Sequence, residues 1–269
     1  MGYETIRLDL EGSVAVVRLS RPERMNAVTE TMYRELIDVL DQTGRDADLR
    51  ALVVTGSIRV KDGVSKQAFC AGADLKEHAA GRRSDAEQRA YIELAHEATR
   101  RLYRHPNPVV AAVNGPARGA GAEMAMACDL VLMAEEATLA FPETSLGTFV
   151  GGGVTWHLPR VVGLARAKEL IYTGRVIDGR EAVRLGLAVR AVPVDELEAE
   201  AMALARRLAG QAPLSMRLAK EQLQDAADHD LDAALRLEAE GILACMETDD
   251  WHEGASAFVE RRAPRFRGR

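Results

Sequence analysis

Short apolar strands alternate with amphipathic helices over the first two-thirds of this chain, and that order constrains its fold more than any single motif. Residues 3–10 and 13–19 alternate apolar and polar around the turn Glu11-Gly12-Ser13, which predicts two strands. Thr29 stands where an N-cap belongs, ahead of a helix over about residues 30–43 with Met32, Leu36, Val39 and Leu40 on one face. Residues 49–55 read as a short buried strand, 84–104 as a helix, and 109–113 as another buried strand. Asn114-Gly115-Pro116 and a Gly/Ala-rich stretch then open a further helix, and strands return at 130–133 and 138–141. From about residue 160 the pattern turns almost wholly helical, broken at Gly174, Gly186, Pro193 and Pro213. The expectation is an α/β core of repeated strand–strand–helix units over residues 1–195 and a helical region over 196–269.

At 269 residues the chain can bury a full core, and with only 4% aromatic residues that core must be packed with Ala, Val, Leu and Met. Thirty-five basic against 41 acidic residues give a net charge of −6, without the basic surplus a nucleic-acid binder normally shows. The N-terminal residues alternate and carry acids, unlike a targeting peptide, and no apolar run reaches the ~18 residues that span a bilayer. Cys70, Cys128 and Cys245 form no CxxC pair and fit reduced thiols in a cytoplasmic protein. There is no GxxxxGK[ST] loop, no HExxH, no GxSxG elbow and no metal-ligand cluster.

Two glutamates stand in unusual company. Glu123 lies among small and apolar residues in GAGAEMAMAC, and Glu143 follows a strand in LAFPETSLG. One reading makes Glu123 a first-turn acid favoured by the helix dipole and Glu143 a loop acid or cap. The other makes them reactive, because an ionised group among apolar neighbours is costly to bury without a use. The backbone before Glu123 is also stripped of side chains, so a ligand could reach N–H groups at a helix start. Ala71-Gly72-Ala73-Asp74 reads as a tight strand-to-helix turn, with Asp74 capping the segment from Leu75, or as the second half of the same site.

Taken together, six ordered segments resemble the enoyl-CoA hydratase/isomerase (crotonase) superfamily. They are residues 19–27 (LSRPERMNA), 68–76 (AFCAGADLK), 108–129 (PVVAAVNGPARGAGAEMAMACD), 141–163 (FPETSLGTFVGGGVTWHLPRVVG), 170–186 and 248–262. The resemblance implies the crotonase (ClpP-like) spiral of β-β-α units, with C-terminal helices that build homotrimers or homohexamers. It implies an enoyl-CoA hydratase closest in type, with an isomerase or a specialised acyl-CoA dehydratase as the alternative enzyme. An RNA-binding or scaffold role is the non-enzymatic alternative, which the acidic balance disfavours.

Residue by residue, the resemblance assigns Glu123 and Glu143 to catalysis and the N–H groups of Ala73 and Ala120 to an oxyanion hole. Arg24, Met25, Ala71, Asp74, Leu75, Lys76, Gly121, Gly151 and Trp156 are assigned to binding of the acyl-CoA substrate. Coenzyme A then arrives with the substrate, and neither a metal nor a further cofactor is expected. Val150, Trp156 and His157 stand where relatives more often carry Pro, Gln and Arg, which implies an altered acyl preference.

Overall fold

The computed structural model describes residues 2–62, 64–76 and 83–269. Strands β1 (Ile6–Glu11) and β2 (Val14–Leu19) form the expected antiparallel hairpin, turning at Gly12 with φ +61°. Helix α1 (Glu30–Arg45) starts where Thr29 accepts a hydrogen bond from the Met32 N–H at 3.2 Å, and it buries Met32, Tyr33, Leu36, Val39 and Leu40. After β3 (Ala51–Gly56) comes a small hairpin of β4 (Arg59–Lys61) and β5 (Val64–Lys66). Helix α2 (Asp85–Tyr103) opens on a capping box, Ser84 and Glu87 satisfying each other's backbone N–H groups.

The next strands come in pairs. β6 (Val109–Val113) and β7 (Ala117–Arg118) precede α3 (Ala120–Ala127), and β8 (Leu130–Ala134) and β9 (Thr138–Ala140) precede α4 (Val154–Val162) and α5 (Leu164–Thr173). β10 (Ile177–Asp178), α6 (Gly179–Arg184) and β11 (Arg190–Val192) complete the mixed region. The large sheet runs β1-β2-β3-β6-β8-β11, parallel except for its first pair, and the small one runs β10-β9-β7. The pairs β6/β7, β8/β9 and β11/β10 each give one strand to the large sheet and one to the small sheet, and a bridge from Cys70 to Ala117 adds the segment after β5 to the second layer. β3 and β6 are buried at every residue, the mark of parallel strands covered on both faces.

The expected division of the C-terminal third needs correction at one point. After residue 160 the chain is almost wholly helical as expected, but two short strands interrupt it, and one of them, β11, pairs in parallel with β8. A boundary at 195/196 cuts the core, because α7 (Leu197–Ala209) buries Leu197, Ala201, Met202, Ala205 and Ala209 against the large sheet. Three alanines on one stripe let the helix lie close to the strands, and a composition-based reading does not distinguish that stripe from an assembly face.

The exposed apolar helices begin one element later, at α8 (Pro213–Asp225), followed by α9 (Leu231–Met246) and α10 (Asp249–Glu260). Leu223, Leu231, Leu235, Ile242, Leu243 and Phe258 lie at least half exposed there. α8 is tied to the core by Lys220, whose ammonium meets Asp129 at 2.8 Å, and by Gln224, which donates to the Tyr103 carbonyl at 2.7 Å. Among the described residues no helix is long and apolar enough to cross a membrane.

Candidate active site

The site is built where two glycine-bearing turns press against backbone. Gly121, in the first turn of α3, faces the Cys70 carbonyl so closely that a Cβ would stand 2.2 Å from its oxygen. Gly121 is thus required for packing of α3 onto residues 70–73. That close approach brings the two expected oxyanion donors to one place. Val28 N–H donates to the Gly72 carbonyl and Asp74 N–H to the Val28 carbonyl, so the intervening Ala73 N–H points the other way. Ala120 is the first residue of α3, where no intrahelical acceptor exists. Among the described residues neither N–H has a hydrogen-bond acceptor, and the Ala120 nitrogen lies 4.0 Å from where a Gly72 Cβ would be.

Gly119 meets both glutamates, Glu123 through its backbone and Glu143 through its carboxyl. Its carbonyl accepts the Glu123 N–H at 2.9 Å, while its Cα faces Glu143, whose Oε1 lies 2.5 Å from the position of a Cβ. Any larger residue there would displace the carboxyl. Glu123 is 9% and Glu143 8% exposed. The Glu123 carboxylate accepts the Gly151 N–H at 2.8 Å, and Glu143 Oε2 is buried with no hydrogen-bond partner among the described residues. A buried carboxyl oxygen left without a partner is costly unless a ligand or water supplies one.

Electrostatics follow from this burial. Desolvation pushes the Glu123 carboxyl up from 4.5 to about 7, against the pull of the Gly151 N–H, and the neighbouring Glu143 charge adds to the rise. Burial raises Glu143 as well. Near neutral pH the pair can therefore hold one proton between two acids, which suits reciprocal acid–base work. Cys70, fully buried, has its thiol pushed up to about 12 by desolvation, which removes it as a nucleophile.

The remaining expected residues divide. Arg24 and Met25 lie on an exposed turn whose Met25 carbonyl accepts the Ala71 N–H at 3.0 Å, so this loop and residues 71–76 form one rim, with Leu75 and Lys76 exposed on it. Asp74 caps as expected, accepting the Lys76 N–H at 3.1 Å, but its other oxygen takes both terminal nitrogens of Arg21 at 3.1 Å. Nothing in the sequence marks Arg21 out, and the buried Asn26, bonded to Arg21, Ser57 and Ala68, anchors the loop from both sides. Gly151 belongs to the site through the N–H it donates to Glu123. Trp156 has no hydrogen bond to either carboxylate among the described residues. It lines a cavity of about 470 Å³ with Gly152, Gly153, His157, Tyr103 and the end of α8, and neither glutamate lines that cavity. No cluster of three or more His, Cys, Asp or Glu among the described residues is placed to hold a metal.

Comparison with known proteins gives this geometry its class. The enoyl-CoA hydratase/isomerase family model matches residues 9–269. The chain is 36% identical to the crotonyl-CoA hydratase of Syntrophomonas wolfei over 266 residues, 99% of each chain. It is 34% identical to the short-chain-enoyl-CoA hydratase of Clostridium acetobutylicum over 97% of each. The crystal structure of an enoyl-CoA hydratase from Bacillus anthracis superposes with a TM-score of 0.92 at 36% identity, covering 99% of this chain and all of that one. The chain belongs to the enoyl-CoA hydratase/isomerase family and has the crotonase fold.

Proposed function

We propose that this protein is an enoyl-CoA hydratase that adds water in syn fashion across the 2,3 double bond of a trans-2-enoyl-CoA thioester, giving a 3-hydroxyacyl-CoA. The observation that carries this reading is the pair of buried, electrostatically coupled carboxyls, Glu123 held against Gly151 and Glu143 against Gly119, the latter with an oxygen awaiting a partner. The thioester oxygen accepts from the Ala73 and Ala120 N–H groups, each such donor being worth roughly 3–4 kcal/mol to a developing oxyanion. Glu123, in its ionised form, takes a proton from water as the water oxygen bonds to C3. The C2–C3 π electrons move toward the thioester, and the enolate charge rests on the oxygen held by the two amides. Glu143, which carries the one proton the pair shares when Glu123 is ionised, gives it to C2, and proton exchange with solvent resets the pair.

Isomerisation needs one acid to shuttle a proton between two carbons, so a second buried carboxyl favours hydration. The reading is tested by assaying enoyl-CoA thioesters of differing chain and ring type for loss of conjugated-thioester absorbance. Arg24, Met25, Ala71, Leu75 and Lys76 are proposed to meet the coenzyme A portion along the exposed rim.

The apolar faces of α8–α10 are proposed to pack against other copies of the chain in a trimer or hexamer. Light scattering is expected to give three or six times the chain mass, and a stable monomer at micromolar concentration would contradict it.

A further inference from the structure

The turn that holds Glu123 has no side chains of its own. Residues 151–153 are three successive glycines, with φ +55° at Gly152 and +75° at Gly153, and such a run has many conformations to lose. On one side it meets Glu123: Gly151 donates its N–H, and a Cβ on Gly152 would stand 2.6 Å from the Glu123 Cβ. On the other side it meets His157, whose Cδ2 lies 3.2 Å from where a Gly153 Cβ would be. The His157 ring in turn packs edge-on against Tyr103 and Trp156, each at 4.8 Å between centroids, and the Tyr103 and Trp156 rings meet at 5.7 Å. Arg160 covers the outer face of Trp156 at 4.0 Å. These rings, with Gly152 and Gly153 themselves, line the 470 Å³ cavity, so space into which the turn could relax is present.

We propose that His157, braced by Trp156 and Tyr103, is a positioning residue: it clamps the glycine turn against Glu123 and so keeps the Gly151 N–H on the carboxylate. This rests on Glu123 being a working acid–base group, as the hydratase reading has it. His157 needs no charge for the task. Burial lowers its basicity, and the Arg160 charge lowers it further. What acts is the volume and stacking of the ring. The groups facing Glu123 are Glu143, Tyr33 and Cys70, and burial holds the protons of the last two far into the alkaline range. Those facing His157 are Tyr103 and Arg160, with His96, Arg100, Arg104, Asp225 and Asp228 around the cavity.

The test compares His157→Ala, His157→Phe and the milder Trp156→Phe in the full chain. The Glu123 titration is followed by NMR with carbon-13 at the glutamate carboxyls and assigned through Glu123→Gln. Loss of the ring frees the Gly151 N–H, so the Glu123 titration is expected to move up by about one pH unit in His157→Ala. Its kcat for hydration should fall about tenfold with KM little changed, and His157→Phe should restore both. An unmoved Glu123 titration in folded His157→Ala overturns the proposal, as does a His157→Phe enzyme as impaired as the alanine variant. Should His157→Ala not fold, Trp156→Phe carries the same test with a smaller upward shift expected, and no shift is contradictory. Because the titration needs no substrate, it separates this proposal from the hydratase reading: a chain that hydrates no thioester yet shows the shift keeps the clamp and loses the activity.

Discussion

Glu123→Gln and Glu143→Gln are each expected to lower kcat for a crotonyl-type thioester by at least about 10², with KM changed far less. Glutamine keeps the volume and one acceptor oxygen, so Gly151 retains a partner and the Gly119 contact is undisturbed. What is lost is proton exchange. Water must be deprotonated and C2 protonated on one face of the alkene, and neither acid can do both at once. The residues act as a unit, so the double variant should be far less impaired than the product of the two single effects. Steady-state kinetics on purified variants checks this. Near wild-type hydration by either single variant would remove the two-acid mechanism and bring the isomerase reading forward.

The second large effect is on stability, and its sign follows from burial. In the unfolded chain Glu123 loses its proton near 4.5, whereas in the folded chain it holds on to about 7. Between those values the unfolded state gives up a proton that the folded state retains, so folding stability falls as pH rises and then levels off above 7. A displacement of this size corresponds to about 3 kcal/mol, undiminished by solvent since the group is almost fully buried. Glu123→Gln removes the penalty. Relative to wild type it should be equally stable near pH 4 and more stable by about 3 kcal/mol at pH 8. Denaturant midpoints at fixed protein concentration read the difference. A gap that does not change with pH would mean that the carboxylate is not desolvated in the folded protein.

The same feature, a carboxyl among alanines and glycines, made the site visible in the sequence. Glu123 in GAGAEMAMAC and Glu143 after its strand were legible because charge in apolar company demands a reason. Continuous runs such as Val109–Val113 and the Thr29 cap were legible because parallel strands and helix starts leave local patterns. What could not be read locally depended on distant partners. Arg190–Val192 is a strand only because β8 offers an open edge. The alanine stripe of α7 is buried only because a sheet lies beneath it. Gly121 needs to be glycine for the Cys70 carbonyl fifty-one residues earlier, and Asp74 is balanced by an Arg21 far away in sequence. Trp156 and His157 stood out as departures from the family pattern, but their neighbours Tyr103 and Gly153 came from the fold.

The most direct measurement follows a trans-2-enoyl-CoA incubated with the wild-type protein in oxygen-18 water, with ultraviolet absorbance and product mass recorded together. Hydration predicts loss of the conjugated-thioester band and a product heavier by one labelled water, with the label retained at C3. A product of unchanged mass, or no change in the band across short, long and ring-bearing thioesters, would contradict it.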